Sequence, residues 1–136
     1  MTKQIWLNLP VKDVAKSKSF FKEIGFSFNE DHDTPSSTCM IVGEGSFVIM
    51  LFEENLFASF SQNKLTDTAT SSEILISIDA ESNEEVDTLA EKVKIAGGNV
   101  FAPPAESQGW MYGCGFADLD GHRWNVLFMD FSKLPQ

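Results

Sequence analysis

Ile5, Leu7, Leu9 and Val11 alternate with Trp6, Asn8 and Pro10, and this period of two predicts a half-buried strand. Val14, Phe21 and Ile24 then recur at helical spacing with lysines between them, and Gly25 is placed as the C-terminal stop. Phe26 and Phe28 open a second predicted strand, ahead of an acidic, polar loop from Asn29 to Ser37. Cys39 to Val42 and Phe47 to Phe52 read as a hairpin about the turn Gly43-Glu44-Gly45. A short helix is expected from Glu53 to Gln62, with Leu56, Phe57 and Phe60 on its buried side, and the polar stretch after it reads as a linker.

The pattern then starts again. Ile74, Ile76 and Ile78 predict a strand. Ser82 and Glu85 form a capping box, Val86, Leu89 and Val93 mark a helix face, and Gly97-Gly98 ends the helix. Val100-Phe101, Tyr112 to Ala117 and Arg123 to Phe128 supply three more strands, with Pro103-Pro104 after the first and the turn Asp118-Leu119-Asp120-Gly121 before the last. Both halves therefore read β, α, β, β, β: a first module over 1–62, a linker over 63–72 and a second module over 73–136, in one compact domain. A shift of 75 positions lays the hairpin from Cys39 to Leu51 over Cys114 to Val126 without a gap, and Ile49 then meets Trp124.

Composition narrows the function. At 136 residues, with 43% hydrophobic and 22% charged, the chain is an ordinary globular domain, not a disordered tail or a rod. Twelve Phe and three Trp exceed what a small core needs, so some rings are expected at a pocket or a subunit interface. Twenty acidic against ten basic residues give a net charge of -10, which argues against nucleic acid as a partner. No apolar run approaches the roughly 18 residues of a membrane span, and Met1-Thr2-Lys3-Gln4 leads into a strand without a signal-type block. The expectation is a soluble, cytoplasmic protein with no membrane partner and with Cys39 and Cys114 as thiols. The runs Glu30-Asp31, Glu53-Glu54 and Glu81 to Asp87 read as solvated faces.

Two βαβββ modules in this length, the corner Val11-Lys12-Asp13, Ser19-Phe20-Phe21 ahead of Ile24-Gly25-Phe26, and Asp118-Leu119-Asp120-Gly121-His122 before the last strand resemble the vicinal oxygen chelate superfamily. That superfamily includes glyoxalase I, bleomycin-resistance proteins and extradiol dioxygenases, and Met111-Tyr112-Gly113-Cys114-Gly115-Phe116 looks like its glyoxalase-like bacterial branch. The resemblance implies an α+β fold in which two βαβββ modules form a curved mixed sheet with a central cavity, and a homodimer. In the metal-using members, the first and fourth strands of each module supply the ligands of a divalent ion. Carried onto this chain, those positions fall at Trp6, Met50, Glu73 and Asn125. Only Glu73 is a donor of the expected kind. Zn, Ni, Fe or Mn requires three or four His, carboxylate or thiolate donors, whereas Trp offers an N–H, Met a weak thioether and Asn a neutral carbonyl. No metal and no other cofactor is therefore expected.

If the four positions face inward, alternation puts Asn8, Val48, Phe52, Leu75, Ser77, Arg123 and Leu127 on the same side. Ile5, Leu7, Leu9, Ile49, Leu51, Ile74, Ile76, Trp124 and Val126 then pack under the helices. The candidate ligand-binding set is Trp6, Asn8, Met50, Phe52, Glu73, Leu75, Tyr112, Arg123 and Asn125, the make-up of an organic-ligand pocket. Glu73 has two readings: a counter-ion or general base, with Trp6 stacked on a cationic ligand, or a strand-end carboxylate in water or paired with Arg123. Tyr112 either places its phenol over the cavity or packs within a strand. His32, His122 and the cysteines lie in no context that suggests an activated nucleophile, so catalytic residues are unassigned.

The leading reading is a metal-independent protein that binds, and sequesters, a small cationic or aromatic organic molecule. The alternative is a divergent metal-dependent glyoxalase-like lyase or dioxygenase, and a third is a structural or regulatory dimer with a filled cavity.

Overall fold

The computed structural model describes residues 1–45 and 47–134. The chain divides into two compact units, Met1–Asp67 and Thr68–Gln136.

In the first unit, β1 (Trp6–Val11), α1 (Val14–Glu23), β2 (Ser27–Thr34), β3 (Ser37–Val42) and β4 (Phe47–Glu53) are followed by α2 (Glu54–Ser61). The sheet order is β1-β4-β3-β2, with β1 parallel to β4 and the other pairs antiparallel. Asp13 starts α1 by accepting the Lys16 backbone N–H at 3.0 Å, one of the donors a helix start leaves unpaired. Gly25, at φ 110°, turns the chain into β2 with a backbone that a side chain would strain. Between cap and stop, Val14, Phe20 and Phe21 face the sheet, where Leu9, Val11, Met40, Ile49 and Leu51 are buried. Each such side chain contributes about 1.5–3 kcal/mol of burial.

The second unit repeats the order with β5 (Leu75–Asp79), α3 (Asn83–Ala96), β6 (Asn99–Ser107), β7 (Met111–Ala117) and β8 (Arg123–Met129), closed by a 3-10 turn over Phe131–Lys133. Its sheet runs β5-β8-β7-β6, with β5 parallel to β8. Ser82 caps α3 by accepting the Glu85 N–H at 3.1 Å. The Glu85 carboxylate reaches back to the N–H of Glu81, one residue beyond the cap, at 2.8 Å. Val86, Ala90 and Val93 meet a core of Phe116, Trp124 and Val126, and the Phe116 and Trp124 rings stack at 5.9 Å and 2°. The α+β class and the doubled βαβββ order stand, and each module forms its own four-stranded mixed sheet.

Several expectations are corrected. The residues from Asn29 to Thr34 are not loop but the outer part of the edge strand β2, paired with β3 at Asn29 and Thr34 with a register shift between. An edge strand exposed on both sides needs no apolar alternation. Its acidic residues are also not merely solvated: Lys18 of α1 pairs with Glu30 at 2.8 Å and with Asp33, and Lys22 pairs with Glu30 at 3.0 Å. β6 continues through Pro103-Pro104, which an edge strand with two register shifts tolerates. Ile5 and Ile74 lie just outside their strands and are exposed instead of packing under a helix. Helix α2 has no buried residue, and Phe60 is exposed. The gap-free repeat also fails by one residue. Cys39 pairs with Met50, but Cys114 pairs with Val126 and it is Gly115 that meets Asn125. Thr68, within the expected linker, donates to the Asp120 carbonyl at 2.5 Å and so ties that stretch to the β7–β8 turn.

Candidate ligand-binding faces

Each sheet has one face under a helix and one turned away from it, and strand pairing assigns side chains to each. In the first unit Trp6, Asn8 and Pro10 of β1 lie beside Val48, Met50 and Phe52 of β4 on the face turned away from α1, with Cys39 of β3 next to Met50. In the second unit Leu75 and Ser77 of β5 lie beside Arg123 and Asn125 of β8 on the face turned away from α3, with Gly115 of β7 next to Asn125. The predicted set thus separates into two groups, Trp6, Asn8, Met50 and Phe52 in one unit and Leu75, Arg123 and Asn125 in the other. Trp6 and Leu75 begin their strands and are 55% and 54% exposed.

Two members of the predicted set lie elsewhere. Glu73 precedes β5 and is exposed, so it is not a carboxylate buried among apolar groups. Tyr112 is on the α3 side of its sheet, since it pairs with Phe128 and alternates with the buried Cys114 and Phe116. Its hydroxyl donates to Asp87 of α3 at 2.6 Å, and this bond to a carboxylate is the main cause that raises the phenol pKa. On that side a pocket of about 280 Å³ lies among Asn83, Glu106, Trp110, Tyr112, Phe128 and Asp130, away from Arg123 and Asn125.

Residues that the sequence reading did not place join the two faces. Phe60 of α2 meets Phe52 edge-on at 5.3 Å, so α2 borders the first group. In the second, the Phe101 ring of β6 lies over Gly115, where a Cβ would come within 2.7 Å of two ring carbons. The Arg123 guanidinium stacks on that ring, its carbon 4.2 Å from the centroid. A glycine two positions from Gly113 in a strand was the available signal for a close approach.

Electrostatics near the β7–β8 turn are structural. Asp118 is buried and accepts the Trp124 indole N–H at 3.1 Å and the backbone N–H groups of Asp120 and His122 at 3.0 and 3.1 Å. Burial pushes its carboxyl pKa up, against the opposing pull of His122 and the indole. Burial likewise raises both thiols, Cys39 and Cys114, away from thiolate character.

Comparison with known proteins places the chain. Residues 3–43 match the family model of the bleomycin resistance protein-like N-terminal region. The structure of hypothetical protein SA1046 from S. aureus is 39% identical, with a TM-score of 0.84 and 94% of each chain covered. A glyoxalase/bleomycin resistance protein/dioxygenase family enzyme from Burkholderia phytofirmans PsJN is 16% identical, with a TM-score of 0.77 over 91% of this chain and 96% of that one. The N-terminal third of the chain carries the bleomycin resistance protein-like pattern, and the chain as a whole has the fold of the glyoxalase/bleomycin resistance protein/dioxygenase structures. No curated protein matches the sequence.

Among structures of the same fold, the fosfomycin resistance protein FosX from Listeria monocytogenes, complexed with Mn(II) and sulfate, has a TM-score of 0.70 at 18% identity, with 98% of this chain and 94% of that one covered. The residues of the present chain do not fit such an ion. Trp6, Met50 and Asn125 supply an N–H, a thioether and an amide, and Glu73 stands outside its strand. Among the described residues no group of three or more His, Cys, Asp or Glu is placed to hold a metal, and no helix is long and apolar enough to cross a membrane.

Proposed function

We propose that this chain binds a small organic molecule without a metal, using the sheet faces turned away from α1 and α3. The observation that carries the reading is the chemistry of each face: an indole, a thioether, a phenyl ring and an amide in the first unit, and an aliphatic side chain, a guanidinium and an amide in the second. Each face offers apolar contact to a ligand body and a few polar groups, and neither holds the donor set of a divalent site. Sequestration requires only binding, and it accords with the resistance function named for the bleomycin-type family. The expectation of a cationic ligand rested on Glu73 as an inward counter-ion, and its exposed position outside β5 removes that support. A lyase or dioxygenase reading would need metal donors that these positions do not supply. The exposed Trp6, Phe47, Ile74 and Leu75 support a homodimer, which sedimentation equilibrium would detect.

A thermal-shift screen of Mn, Fe, Ni and Zn salts against a panel of small aromatic and aliphatic organic molecules tests the reading. A ligand stabilises the fold in proportion to the logarithm of its concentration over its dissociation constant. Saturable stabilisation by organic molecules, lost in Trp6→Ala or Asn125→Ala, is expected. Stoichiometric metal binding abolished by Glu73→Gln would overturn it.

A further inference from the structure

Arg123 is the only arginine in a sequence with 20 acidic residues. It forms no ion pair with any of them among the described residues. Instead its guanidinium carbon lies over the Phe101 ring, 4.2 Å from the centroid, and Phe101 can lie there because Gly115 beneath it has no side chain. Three strands thus contribute to holding one cation. A cation–π contact is made to the charge and consumes none of the N–H donors, so they remain available to an anionic ligand. The site is partly buried, which raises the worth of a charged hydrogen bond over that of a fully solvated one. Leu75, the register partner of Arg123, provides apolar surface on one side, and Asn125 adds an amide two residues along the same face.

We infer that Arg123 is the recognition element for a carboxylate carried by the small organic ligand, resting on the function proposed above. A planar carboxylate matches the guanidinium fork with two parallel hydrogen bonds. A single cation balances a single negative charge. No lysine shares this face on β5, β7 or β8, so a doubly charged phosphate would be left half neutralised in a chain of net charge -10. Phe101 and Gly115 are positioning residues, since the glycine admits the ring and the ring holds the guanidinium in place.

Calorimetric titration with phenylacetate, phenylacetamide and phenethylamine tests the assignment, because the three share a ring and differ in charge. In the wild-type protein phenylacetate should bind at least about tenfold more tightly than the amide. That preference should vanish in Arg123→Met, survive in reduced form in Arg123→Lys and weaken in Phe101→Leu. Unfolding curves for each variant establish that it folds. Equal binding of amide and carboxylate, stronger binding of the amine, or a carboxylate preference that persists in Arg123→Met would overturn the assignment and leave small-molecule binding standing. Failure of all three probes to bind at tens of millimolar would overturn both.

Discussion

The indole N–H of Trp124 donates to Asp118 Oδ2 at 3.1 Å, and this one bond joins the largest buried side chain of the second unit to the turn that precedes its strand. The other carboxylate oxygen accepts two backbone N–H groups of the turn, from Asp120 and His122. The Asp-Leu-Asp-Gly sequence that reads as a simple turn is therefore also the anchor that orients the Trp124 ring against Phe116. Asp118→Ala leaves a buried indole donor and two turn donors without their acceptor. We expect it to destabilise the protein by about 2–4 kcal/mol in urea unfolding. A loss no larger than that of a surface substitution would show that water replaces the carboxylate.

The same carboxylate shapes the response to pH. Burial raises its folded pKa above the unfolded value, so its ionised form opposes folding at neutral pH. Its contribution therefore improves as pH falls through the folded pKa towards the ordinary carboxylate value. Asp118→Asn does not titrate. The stability of the wild type relative to Asp118→Asn should rise across that interval, measured as urea midpoints at successive pH values. A difference that is flat with pH would mean that the His122 and indole contacts cancel the cost of burial.

Lys18 produces the opposite slope. It lowers the pKa values of Asp33 and Glu30 by direct hydrogen bonds, and its own pKa is raised chiefly by Asp33. The stabilisation from the two carboxylates is complete above the ordinary carboxylate range and is lost as pH falls through their depressed folded values. On the alkaline side the ammonium contribution is lost as pH rises through its raised value. Lys18→Met should flatten both limbs of the melting-temperature profile, leaving what Lys22 gives Glu30 and what the Thr38 hydroxyl and Lys22 give Asp33. High salt should shrink the difference, since the cluster is solvent-facing. Equal gaps between wild type and variant at neutral and strongly acidic pH would show that the cluster adds nothing.

What was legible follows from where burial is one-sided. In β1, β4 and β8 one face is packed under a helix, and alternation alone separates Leu9, Ile49 and Trp124 from Trp6, Met50 and Asn125. Capping chemistry marked Ser82, Gly25 and Gly97 because those positions need a particular side chain or a positive φ, whereas the Asp13 cap of α1 was not named. The outer half of β2 was not legible, since Asp31 and His32 are exposed and carry no apolar signal; its partners are backbone groups and the lysines of α1. The one-residue difference between the two hairpins was hidden for another reason. A gap-free shift matches residue types and is blind to turn length, and the single insertion turns Cys114 towards α3 while Cys39 faces away from α1. Tyr112 went the same way, its face being set by that register.

Two glycines of β7 make the final contrast. A Cβ on Gly113 would lie 2.5 Å from the Val126 carbonyl oxygen and 2.7 Å from a Leu127 methyl, whereas one on Gly115 would lie 2.7 Å from the Phe101 ring. Relief at Gly113 requires the backbone of β8 to move, and β8 is an inner strand paired on both sides. Relief at Gly115 requires a ring on the edge strand β6 to swing outward, with Phe101 already 38% exposed, and the Ala102 Cβ, 3.3 Å away, to give by a few tenths of an ångström. Gly113→Ala should therefore cost about 2–3 kcal/mol in chemical denaturation and Gly115→Ala about 1 kcal/mol. The smaller change carries its own signature: with Phe101 displaced, the Arg123 guanidinium loses the ring on which it stacks, so carboxylate binding should fall in Gly115→Ala while the fold persists. Equal destabilisation by the two alanines would show that Phe101 is held as rigidly as the inner strand, and that the guanidinium is held by more than this one ring.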